Sequence, residues 1–156
     1  MNNLKNKWMK YALYEAEKGL RLDEVPIGAI IVKDNKIVGR GYNQVESLID
    51  ATAHAENIAI TSAANSLGDW RLNDCSIYVT KEPCLMCYGA IINARIKNIY
   101  YGFADKDNGF KNSIDQSLIF ERTHLKIIEG SILKSECKGI LLNFFESKRK
   151  KTKKKV

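Results

Sequence analysis

Ser76-Ile77-Tyr78-Val79-Thr80-Lys81-Glu82-Pro83-Cys84-Leu85-Met86-Cys87 joins a short apolar, β-branched run to an apolar stretch that opens on two cysteines. Residues 76–80 predict a buried strand. Residues 84–94, with Leu85, Met86, Ala90, Ile91 and Ile92, predict a core helix. Pro83 suits the first turn of that helix, where its missing N–H costs nothing. Cys84 and Cys87 are three residues apart, so a helix brings both sulfurs to one face. The positive end of the helix dipole and the free N–H groups there lower thiol pKa values and favour metal binding.

Upstream, His54-Ala55-Glu56 opens a second apolar-periodic run, predicted to be helical to about residue 65. One histidine and two cysteines give three ligands for Zn²⁺, the count of a catalytic site whose fourth position holds water. Glu56 is not needed as a ligand. A carboxylate there can take a proton from that water and return it to a leaving group. Two other readings stand beside this one. A structural Cys₃His site would draw its fourth ligand from Cys75, Cys137 or His124. A thioredoxin-like dithiol leaves His54 and Glu56 unexplained.

The chain has 156 residues, the size of one domain able to bury a core without staples. Four cysteines, two of them in the motif, argue against a disulfide framework, and Cys75 and Cys137 read as small buried apolar residues in a reducing compartment. No signal peptide and no membrane-length apolar run is visible, so a cytoplasmic location is expected. The net charge of +7 resides in a tail: residues 148–155 hold seven Lys or Arg and no acid, and the remaining 18 basic residues equal the 18 acids. One folded domain over 1–147 and a basic tail over 148–156 are therefore expected. The tail reads either as a phosphate-binding arm or as a solvated, disordered terminus.

In chain order the expectations are a helix from residue 4 to near Gly19, strands at 27–32 and 37–42 joined by a polar turn, and a loop at 43–52. After the His54 helix and the Cys84 unit come a strand at 97–102, a loop at 103–112, a short helix at 114–120, a strand at 125–129, and a helix capped by Ser131 that runs to about residue 147. Gly28, Gly39 and Gly41 mark bulges or close backbone approaches within the hairpin, bulges being commoner. The order gives an α/β fold, a mixed sheet of about five strands with helices on both faces, and places the two ligand-bearing helix starts together at the sheet edge.

His-x-Glu followed by Pro-Cys-x-x-Cys is the signature of zinc nucleobase deaminases, and the chain holds it in full as His54, Glu56, Pro83, Cys84 and Cys87. With Glu24-Val25-Pro26-Ile27-Gly28-Ala29, Gly41-Tyr42-Asn43, Trp70-Arg71-Leu72, Tyr101-Gly102 and the closing helix with Phe144-Phe145, almost the whole chain resembles the bacterial tRNA-specific adenosine deaminases of the cytidine deaminase-like superfamily. The resemblance implies a three-layer α/β/α fold and conversion of the wobble adenosine of a tRNA anticodon to inosine. It implies Zn²⁺ on His54, Cys84 and Cys87, and Glu56 as proton shuttle. Asn43 would hydrogen-bond the base, and Val25 and Ile27 would form its pocket. Asp105 would contact the target nucleotide or its neighbour, and Phe145 with the basic residues after it would touch the anticodon loop. A homodimer is also implied. Two positions depart from the pattern: Asp107 stands where a lysine is frequent, and Val45 where a proline is frequent. Two competing functions remain, deamination of a free base or nucleoside of the guanine or cytosine type, and a non-catalytic RNA-binding subunit with structural zinc. Retention of Glu56 speaks against the second.

Overall fold

A computed structural model describes residues 2–119, 121 and 123–153. Strands β1 (Gly28–Lys33) and β2 (Lys36–Tyr42) form an antiparallel hairpin. Its two turn residues, Asp34 (φ 48°) and Asn35 (φ 56°), are left-handed, which gives the turn twist that a hairpin requires. β3 (Ser76–Lys81) pairs antiparallel with β1 and parallel with β4 (Asn98–Phe103), which in turn pairs parallel with β5 (Ile127–Glu129). The sheet order is β2-β1-β3-β4-β5.

Strand side chains alternate between faces, and both faces are covered. Ile30, Val32, Tyr78, Tyr100 and Phe103 pack with Trp8, Met9 and Ala12 of α1 (Asn2–Arg21) and Cys137 of α6 (Lys134–Lys153). Ala29, Ile31, Ile77, Val79, Ile99 and Tyr101 pack with Ala55, Ala59 and Ala63 of α3 (Ala55–Leu67) and Tyr88 and Ile91 of α4 (Leu85–Asn93). This is the expected three-layer α/β/α arrangement on a mixed five-stranded sheet. No described helix is long and apolar enough to cross a membrane.

The hairpin glycines serve close approach. A Cβ on Gly41 would stand 2.3 Å from the Ala55 carbonyl oxygen and 2.6 Å from the Ala59 nitrogen; one on Gly28 would stand 2.0 Å from the Ala12 oxygen. The register shift of the hairpin lies between Ile31 and Val32. Helices α1 and α3 thus rest directly on strand backbone, on opposite faces.

Several boundaries differ from expectation. Residues 43–52 contain a one-turn helix, α2 (Val45–Leu48), because the Glu24 carboxylate accepts the N–H groups of Glu46 (3.3 Å) and Ser47 (2.6 Å). A distant acid satisfies the donors that a helix start leaves free. The helix expected at 114–120 is replaced by α5 (Phe110–Ser113) and a 3₁₀ turn at Gln116–Leu118, while Phe120 lies outside the described residues. Phe110, fully buried, stacks on Tyr88 at 4.4 Å and sets the earlier start. The strand expected from residue 125 begins at Ile127. Ser131 does not cap α6: its φ is 66°, the helix begins at Lys134, and it continues past residue 147 to Lys153.

Gly41→Ala is expected to destabilise the protein by about 1–3 kcal/mol. Gly139→Ala, a helical position with open space around it, is expected to gain about 0.5–1 kcal/mol. Urea denaturation midpoints check both.

Candidate active site

The residues that cap α3 and α4 are His54 and Cys84. Both have extended backbone (φ −75°, ψ 153° and φ −72°, ψ 172°), and neither side chain caps its own helix. The imidazole and the sulfur turn toward each other instead. His54 Nδ1 lies 3.7 Å from Cys84 Sγ and 3.4 Å from Cys87 Sγ, one turn into α4. The three ligand atoms lie within 4.8 Å of one another, close enough to hold one metal ion. Among the described residues no fourth ligand joins them. Cys75 and Cys137 are buried in the two core layers and His124 is exposed, so the structural Cys₃His reading has no ligand to complete it.

Hydrogen bonds from Cys87 and then from His54 lower the Cys84 thiol to about 3, so it is a thiolate at neutral pH. Hydrogen bonding to Cys84 and burial raise Cys87 in turn. The bond to Cys84 raises His54 against the opposing effect of burial. Burial pushes the Glu56 carboxyl up. Glu56 is only 4% exposed, and its Oε2 has no hydrogen-bond partner. An orphaned buried oxygen beside a thiolate is costly. A cation at the three ligands, bringing a hydrogen-bond donor beside Glu56, relieves that cost, so the residues present fit a metal.

His54, Glu56 and Cys84 open into a cavity of about 250 Å³ whose wall includes Val25, Ile27 and Asn43. These three expected substrate residues therefore share one cavity with the metal-type cluster. Asn43 is buried, and its N–H donates to the Ile27 carbonyl at 3.1 Å. Asp105 and Phe145 do not line the cavity. Asp105 pairs with Lys81 at its wall. Phe145 is 43% exposed on α6, while its neighbour Phe144 is buried, as expected of adjacent helical aromatics.

Sequence reading did not find Glu24, Lys81 and Glu82. Glu24 and Glu82 are almost wholly buried. Glu82 Oε1 accepts the Lys111 N–H at 3.1 Å and its Oε2 the Asp105 N–H at 3.0 Å, tying the 105–111 segment to the end of β3. Their one local signal is an acid just ahead of a proline, in Glu24-Val25-Pro26 and Glu82-Pro83.

A five-stranded sheet with an imidazole, two thiols and an unpaired carboxylate at converging helix starts defines the class of hydrolytic deaminases. The family model of the MafB19-like deaminases matches residues 3–149. A tRNA-specific adenosine deaminase of Buchnera aphidicola is 46% identical over 155 residues, which cover 95% of this chain and 98% of that protein. One from Bacillus subtilis is 39% identical over 147 residues, 94% of this chain and 91% of that protein. Among solved structures, a chain from studies of A-to-I editing by tRNA:A34 deaminases superposes with a TM-score of 0.79 at 39% identity, covering 86% of this chain and 99% of that one. A guanine deaminase of Bacillus subtilis reaches 0.61 at 39% identity, covering 74% of this chain and 73% of that one. The chain belongs to the MafB19-like deaminases and, among them, to the tRNA-specific adenosine deaminase family.

In chelator-treated protein at pH 6, iodoacetamide is expected to modify Cys84 alone. Its pKa of about 3 leaves it a thiolate there, whereas burial holds Cys137 up at about 12 and also raises Cys75. Peptide mass spectrometry checks the site, and added Zn²⁺ is expected to protect it.

Proposed function

We propose that this chain is a zinc-dependent enzyme that hydrolytically deaminates adenosine to inosine at the wobble position of tRNA. The observation that carries the proposal is the unpartnered Glu56 Oε2 beside the His54–Cys84–Cys87 cluster at a cavity walled by Val25, Ile27 and Asn43. Zinc held by His54 Nδ1 and the two sulfurs supplies a Lewis-acid centre that makes water nucleophilic at neutral pH.

The chain's own residues do the rest. Glu56 takes a proton from the attacking water and hands it to N1 of adenine. Oxygen adds at C6. Glu56 then takes the second proton of the water oxygen and delivers it to the departing nitrogen, and ammonia leaves as the C6 carbonyl forms. Water and adenosine become inosine and ammonia, and Glu56 ends as it began. Val25 and Ile27 hold the ring by apolar contact, and Asn43 offers its amide to the base edge. C6 is unreachable inside a stacked helix, so the substrate is a splayed base of the kind that an anticodon loop presents.

The helical basic stretch of α6, with Lys148, Arg149, Lys150, Lys151 and Lys153 beyond Phe145, supports a phosphate-binding role on the anticodon arm. A cytoplasmic homodimer is the setting proposed from the family resemblance.

Incubation with an anticodon stem-loop carrying adenosine at position 34, followed by sequencing, is expected to show inosine. Ammonia release from guanine, cytosine or cytidine in preference to the stem-loop would overturn this assignment. Glu56→Ala is expected to keep metal and RNA binding but to lose turnover by about a hundredfold or more, and an active variant would remove the shuttle role. Deleting residues 148–156 is expected to weaken tRNA affinity and flatten its salt dependence, checked by anisotropy across a KCl series.

A further inference from the structure

Lys81 closes β3 and is the only lysine or arginine among the described residues that line the cavity. The same wall carries four carboxylates, from Glu24, Glu46, Glu56 and Glu82. An RNA strand entering this mouth meets strong like-charge repulsion unless a cation answers its phosphate.

Lys81 Nζ lies 2.6 Å from Asp105 Oδ2, and the two side chains are 26% and 12% exposed. The other oxygen of Asp105 accepts the N–H groups of Asp107 (3.1 Å) and Asn108 (3.2 Å), and the Asp105 N–H is itself held by Glu82. Burial opposes ionisation of Asp105, yet Lys81 and these N–H groups keep its carboxyl below the usual range. Both oxygens of the carboxylate thus hold partners within the protein. An ammonium has three donors, and Asp105 engages it through one oxygen, so Lys81 keeps donors for a second anion at the mouth.

We propose that Lys81 binds a backbone phosphate at the target nucleotide and that Asp105 is the positioning residue that aims it, an ion-pairing role beside the direct RNA contact that the family resemblance implies for Asp105. This rests on the RNA substrate proposed above.

The test is equilibrium binding of the adenosine-34 stem-loop to zinc-loaded full-length protein across a KCl series, with KM and kcat measured in parallel. Lys81→Gln is expected to weaken binding about tenfold and to make the log–log salt slope shallower by about 0.7, the increment for one phosphate on a single strand. KM is expected to rise with it while kcat holds. Lys81→Arg is expected to restore the slope. Asp105→Asn alone is expected to weaken binding with the slope retained, and the two substitutions together to weaken it by less than the product of their single effects, because Asp105 acts in part through the lysine.

An unchanged slope in Lys81→Gln, or fully additive effects of the two substitutions, would overturn the proposal. Lys81→Met serves in its place if the glutamine variant fails to fold. Binding is read without turnover. Wild-type protein that binds the stem-loop with the expected slope yet leaves it undeaminated would therefore overturn the assigned reaction and not this contact.

Discussion

Two helix starts meet at one point, and the site depends on how closely they are held there. His54 and Cys84 occupy the cap positions of α3 and α4, where a side-chain oxygen ordinarily satisfies free backbone N–H groups. Neither residue does so. Released from capping, the imidazole and the sulfur approach each other, and Cys87 joins one turn later. The approach is set from below: α3 lies on the backbone of β2 through Gly41, so its first turn sits closer to the sheet than any side chain there would allow. The packed layer beneath then supplies the burial that raises Glu56 and leaves its Oε2 wanting a partner.

Around that point, buried acids act as struts. Glu24 holds the first turn of α2 against the cavity, and Glu82 holds the 105–111 segment across from it. Each carboxylate accepts two backbone N–H groups, and Glu24 also the Ser47 hydroxyl. Glu56 is the contrasting case: its Oε2 is buried and accepts no hydrogen bond. The cavity wall is consequently acidic and yet belongs to a family whose named members act on a polyanion. Lys81 at its mouth resolves that tension electrostatically.

Much of this was legible along the chain. The spacing of Cys84 and Cys87, the offset of Glu56 from His54, the alternation through the hairpin and the apolar face of α1 each follow from local periodicity, and the layers assembled accordingly. The errors have two causes, distant partners and an unsignalled turn. The helix at Val45–Leu48 needs Glu24 from far upstream, the start of α5 needs the Phe110–Tyr88 stack, and the late start of α6 follows a turn in which Ser131 and Leu133 both take positive φ. Glu24 and Tyr88 lie outside any local window, and the left-handed turn before α6 falls on two non-glycine residues that carry no signal for it.

The sequence by itself determined which side chains could form a metal-type cluster, which carboxylate stands next to one of them in the chain, and which segments alternate as strands. Residue type and spacing suffice for those, because ligand identity and side-chain period are local properties. Tertiary structure alone decided that Val25, Ile27 and Asn43 share one wall with the cluster, that Asp105 turns to Lys81, and that Cys75 and Cys137 stay away from the metal-type site. Those outcomes depend on contacts between residues distant in the chain, which packing density and charge pairing settle only once the layers close.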